Sequence, residues 1–138
     1  MSNDYRFNVF TEHARRILIV RVIGPMPSAH FSDRLFSAYD TIDEPWTWNR
    51  LIDFRRFEGV IDFEDVEAIA QKWSAMIEGK TFGSRVAFVS LDPLDKVRVP
   101  TTSPLFPKDT VVHFTDYHEA MGWLSAANGD AWLAARAG

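Results

Sequence analysis

The sequence predicts an α/β domain built on a mostly parallel sheet of about five strands, with a hairpin start and helices packed on it. Three observations carry this prediction. Two runs rich in aromatic and β-branched residues, Tyr5 to Thr11 and Arg16 to Ile23, are separated by the short polar connection "TEHA", the pattern of a β-hairpin. Beyond them, strand-like runs alternate with segments of helical period, which implies right-handed crossovers between parallel strands. The run "ILIVRVIG" is almost continuously apolar, as a strand covered on both faces must be.

Each element has its own justification. After the hairpin, "PMPSAHFSDRLFSAYD" changes period: Phe31, Leu35, Phe36 and Tyr39 share one helical face, with Ser28 as the expected N-cap. Pro45 in "IDEPWTW" ends that helix, because a proline disfavours helix at the residue before it and breaks one from inside. "NRLIDF" is the third strand. A charged turn, Arg55 to Ile61, leads to a helix that Asp62 should cap, with Asp65 as a weak capping-box partner and Ile61 with Val66 as a hydrophobic staple. Val66, Ile69, Trp73 and Ile77 form its apolar stripe, and Gly79 follows as the stop.

"SRVAFVSL" and "TVVHF" are the fourth and fifth strands. Between them lie Pro93, Pro100, Pro104 and Pro107, which predict a largely irregular connection instead of a crossover helix. The last clear helix opens at Asp116 with Glu119 three residues on, and residues from about 128 form a short terminal helix or a frayed tail. The apolar second strand is expected at the sheet centre, flanked by the third and fourth. In that order a crevice opens beyond the carboxyl ends of the strands.

Composition narrows the function. The 138 residues suit a single domain, and 46% hydrophobic content is enough for one core. A net charge of -4 argues against sequence-independent nucleic-acid binding, which depends on Lys and Arg neutralising phosphates. The absence of cysteine removes disulfides, thiolate nucleophiles and Cys-ligated metals, and fits a cytoplasmic location. No apolar stretch approaches the ~20 residues of a membrane span, and "MSNDYRFNVF" does not read as a signal peptide.

The hairpin start, "LIDFRRFEGVIDFEDVEAIA", "RVAFVSLD" and "VVHFTDYHEAMGWL" together resemble the SpoIIAA-like branch of the STAS superfamily, including its STAS/Sec14-like relatives, over roughly residues 5 to 127. The resemblance implies a STAS-like fold and a small non-enzymatic module that binds a protein partner or a small ligand. In the anti-sigma-factor antagonists of that family, the turn after the third strand presents a phosphorylatable serine. Here the same turn runs from Arg55 to Ile61 and holds no hydroxyl, so no phosphorylation switch and no catalytic residue carry over.

The candidate site residues follow from chemistry and position. Arg55 and Arg56 could grip a carboxylate or phosphate in bidentate fashion, or simply pair with Glu58 or Asp62 on a solvated turn. Trp46 and Trp48, two residues apart, could join Phe57 in an exposed aromatic patch or pack into the core. Ser90 ends the fourth strand beside the crevice; it lacks the G-x-S-x-G spacing of a nucleophile elbow and reads as a turn residue. His13, His30, His113 and His118 match no metal-binding spacing. In "VRVPTTSPLFP", Leu105 and Phe106 either tuck against the sheet or belong to a lid.

The resulting expectation is a cytoplasmic, non-enzymatic STAS-like module without a cofactor, recognising a protein partner or small anionic ligand at Arg55, Arg56, Phe57 and Ser90. A homodimer is compatible with it. The alternative is a carrier or sensor of a lipid or other hydrophobic molecule, lined by Trp46, Trp48, Phe57 and Leu105. That alternative requires a real cavity of at least ~300 Å3.

Overall fold

The computed structural model describes residues 4–137. It contains strands β1 (Arg6–Glu12), β2 (Ile17–Gly24), β3 (Asn49–Phe57), β4 (Arg85–Val89) and β5 (Thr110–Phe114). The helices are α1 (Ser28–Tyr39), α2 (Phe63–Met76), α3 (Asp95–Thr102), α4 (Tyr117–Ser125) and α5 (Gly129–Ala137), with short 3-10 turns at Pro45–Thr47 and Ser103–Leu105. The strand order is β1-β2-β3-β4-β5, antiparallel between β1 and β2 and parallel thereafter. The centre is therefore β3, not β2. All three parallel crossovers step in one direction, so the sheet has no reversal of strand order and no crevice of the switch-point kind.

The period-two alternation of the strands divides the core. Leu18, Val20 and Val22 of β2, Ile52 of β3 and Val86 of β4 join Phe31, Leu35, Ile69 and Trp73 on the α1/α2 face. Ile17, Ile19, Leu51, Ala87 and Val89 join Ala120, Trp123 and Leu124 on the opposite face, where Trp132 and Leu133 of α5 also pack. Asp116 caps α4 as its sequence predicts, its carboxylate accepting a hydrogen bond from the Glu119 N–H at 2.9 Å. Arg85 closes the other end of α4 by donating to the carbonyls of Trp123 and Ala126 at 2.6 and 2.8 Å.

The two helix starts depart from expectation in different degrees. Ser28 is the first residue of α1 and Pro27 its N-cap, whereas Asp62 holds the expected N-cap position of α2 but its side chain makes no capping hydrogen bond. Instead the Ser28 hydroxyl donates to Asp65 at 2.5 Å and accepts from the Asp62 N–H at 2.7 Å, which ties the starts of α1 and α2 together.

The proline-rich connection is not irregular: it contains α3, which packs on β5. Pro93 precedes the helix and Pro104 lies in the first turn of a 3-10 segment, places where a missing N–H costs little. Only Pro100 is inside α3, where it removes a single i to i−4 bond. A network at the β4 end anchors the helix. Asp92 accepts from the Leu94 N–H at 3.0 Å and from Arg98 at 2.8 Å, while the Ser90 hydroxyl donates to Asp95 at 2.5 Å.

Candidate functional site

Between the sheet and helices α1, α2 and α3 lies a cavity of about 540 Å3. Its walls follow from the periods of the elements around it. Phe31, Leu35 and Tyr39 recur every four residues along α1, Val66, Ile69 and Trp73 line it from α2, and Ile52, Phe54, Val86, Phe88 and Val111 face it from β3, β4 and β5. The proline-rich connection closes the remaining side with Val99 and Phe106.

A bulge shapes the outer part. Arg21 pairs with Asp53 but Ile23 pairs with Arg56, so β3 carries one residue more than β2 over this stretch. The extra residue places Phe57 on the same face as Phe54, which a regular strand would not do. Phe54 is then the hub of an aromatic cluster, with ring centroids 5.4 Å from Phe31, 4.8 Å from Phe57 and 5.6 Å from Phe88.

The mouth opens at the carboxyl ends of β3 and β4. Val60, Phe63 and Val97 line it and are 44, 54 and 67% exposed, so the apolar lining continues out to solvent. The inner end lies near the amino ends of the parallel strands and is polar. Arg50, only 3% exposed, forms an ion pair with Asp109, donates to Ser84 at 2.8 Å and to the Tyr39 hydroxyl at 3.3 Å, and stacks over the Trp73 ring at 4.5 Å. Asp109 is also held by Trp73 Nε1 at 2.9 Å and by Ser84 at 2.7 Å. Burial pushes the Tyr39 phenol above its ordinary pKa, against the opposing pull of the Arg50 charge, so Tyr39 keeps its proton.

The structure distributes the residues singled out in the sequence over three places. Phe57 lines the cavity. Arg55 and Ser90 share with it only a small depression of about 90 Å3, and Arg56 is exposed outside both. Arg55 pairs with neither Glu58 nor Asp62 but with the buried Asp53, at 3.0 and 2.9 Å, and lies 4.9 Å over the Tyr117 ring. Asp53 is also bound by Arg21 at 2.9 Å. Burial alone would raise the Asp53 carboxyl, but the hydrogen bonds from Arg55 and Arg21 outweigh it and hold the group below the usual carboxylate range. Ser90 is buried as a turn residue, its hydroxyl accepting from the Asp92 N–H at 3.1 Å and its carbonyl accepting from His113 Nε2 at 3.2 Å.

The aromatic patch of Trp46, Trp48 and Phe57 does not exist. Both tryptophans precede β3 at its amino end and Phe57 closes it at the other, so the nine-residue strand holds them roughly 27 Å apart. Trp48 is a core residue at 4% exposure, edge-on to His13, and Trp46 packs on the same core beneath Lys80. Leu105 does not reach the cavity; its neighbour Phe106 does. Among the described residues, no cluster of His, Asp or Glu could hold a metal ion, and no helix is long and apolar enough to cross a membrane.

No protein-family model matches the chain, and no curated protein is significantly similar to it. Among solved structures, the chain is similar to an uncharacterised DUF3478-family protein with a SpoIIAA-like fold from Shewanella loihica PV-4. The two are 21% identical, superpose with a TM-score of 0.58, and share 90% of this chain and 98% of the other. Together with the five-stranded mixed sheet, its hairpin start and its packed helices, this shows that the chain has a SpoIIAA-like α/β fold.

Proposed function

We propose that this chain is a non-catalytic binding module that encloses one small, largely apolar molecule between the sheet and helices α1 to α3, as a carrier or sensor. The observation that supports it is the 540 Å3 cavity, which falls in the range of about 300–1,000 Å3 occupied by small-molecule sites. Water is a poor filling for the aromatic part, where it finds no partners. The cavity alternative raised by the sequence is thus preferred to the anion site at Arg55, whose guanidinium is engaged by Asp53. This reading assigns no catalytic role to Ser90 and places the protein in the cytoplasm.

Titration with the polarity-sensitive dye Nile red tests the proposal. Saturable one-to-one binding with blue-shifted emission is expected, and a Val111→Trp change, which fills the cavity from β5, should weaken it at least tenfold while the protein stays folded. Absence of saturable binding, or binding indifferent to Val111→Trp in a folded variant, would overturn it.

A further inference from the structure

The inner end of the cavity carries hydrogen-bond donors in excess of the acceptors around it. Arg50 has five N–H groups. Three are used: two on Nη2, to Ser84 and Asp109, and one on Nη1, to Tyr39. Its Nε is also without a partner, but it is sealed from the cavity, so the donors left for an occupant are the second Nη1 hydrogen and the Tyr39 O–H. The Tyr39 oxygen accepts from Arg50, and its own O–H finds no acceptor among the described residues. Asp109 has both carboxylate oxygens occupied by Arg50, Ser84 and Trp73. A buried donor left without an acceptor is costly, so an occupant that supplies an acceptor oxygen here is favoured over a pure hydrocarbon.

Charge decides which acceptor. The Arg50 guanidinium is already neutralised by Asp109, and both are almost fully buried. A carboxylate or phosphate would add a net negative charge beside Asp109 in an apolar enclosure, which is strongly disfavoured. An uncharged carbonyl adds none. From this arrangement, and resting on the cavity reading above, we infer that the enclosed molecule has an apolar body with an uncharged carbonyl oxygen at its leading end, docked against Tyr39 and Arg50. Phe31 and Trp73 are among the residues that line the space around the body, while the exposed Val60, Phe63 and Val97 frame its entry.

Three probes of one shape separate the possibilities: 2-acetylnaphthalene, its alkene isostere 2-isopropenylnaphthalene, and 2-naphthoate, each measured by displacement of Nile red. The ketone is expected to bind at least as tightly as the alkene, although an apolar pocket without donors would favour the alkene about tenfold by sparing the carbonyl's desolvation. Tyr39→Phe should weaken the ketone about tenfold and leave the alkene unchanged, which a general loosening of the fold would not do. The infrared stretch of a 13C-labelled carbonyl gives a second readout on the unaltered protein, with a shift to lower frequency than in hexane expected on binding. A tenfold preference for the alkene, tightest binding by naphthoate, or an unshifted carbonyl would overturn the inference while leaving the cavity reading intact. Failure of all three probes to displace the dye would overturn both.

Discussion

Two charged clusters, one on each face of β3, show how single residues hold this fold. On the α4 face, Asp53 accepts from Arg21 and Arg55, whose side chains are about one-third exposed, and solvent screening moderates the pairs. Asp53→Asn should cost about 1–3 kcal/mol at neutral pH, measured by urea unfolding. The sign of its pH dependence follows from the lowered carboxyl. The unfolded chain binds the proton more readily, so the contribution is complete above about pH 4 and is lost as the pH falls through the lower folded value. The difference between Asp53→Asn and the parent should therefore shrink below pH 4. On the cavity face, Arg50→Met leaves Asp109 buried without its cation and should cost about 3–5 kcal/mol, of which Arg50→Met/Asp109→Leu recovers only part, because Trp73 Nε1 and Ser84 then lose their acceptor; a double-mutant cycle reads the coupling directly. The sequence displays Arg50 plainly, as a charge inside an otherwise buried strand. Its partner Asp109 lies 59 residues away beside a proline-rich loop, and no local pattern joins them.

At the scale of elements, the strands and three of the helices are legible because each repeats a period over enough residues to dominate local exceptions. Helix α3 is not, since the four prolines between β4 and β5 look incompatible with helix until their positions within it are known. Three fall at or outside the ends of helical turns, and only Pro100 is interior. Replacing Pro100 by Ala should restore one backbone donor and stabilise α3, offset in part by the looser unfolded chain; a rise of about 4 °C in unfolding temperature, read by circular dichroism, is expected. The β3 bulge was equally hidden. Phe57 could be singled out for its place after the third strand, but the extra residue that turns it onto the cavity face, beside Phe54, is set by pairing with β2 and leaves no mark in the sequence of β3 alone.

The whole molecule uses its two sheet faces differently. Opposite the cavity, α4 and α5 pack onto Ile17, Leu51, Ala87 and Val89, all fully buried. On the cavity side, α1 and α2 pack on each other and α3 packs on β5, and the space among them stays open to the carboxyl ends of the strands. Of the residues around that space, Phe31, Leu35, Tyr39, Val66, Ile69 and Trp73 are marked by their spacing as apolar helix faces. What the sequence could not convey is that they fail to meet, because a gap is a property of how helices of fixed length settle on a twisted sheet and not of any one residue. The most direct measurement is methyl-resolved NMR of the protein titrated with 2-acetylnaphthalene, whose rings shift nearby methyl signals strongly. The account predicts saturable shifts at Val66, Ile69, Val86 and Val111, with Ile17, Leu51 and Val89 unmoved; shifts confined to exposed residues, or spread equally over both faces, would contradict it.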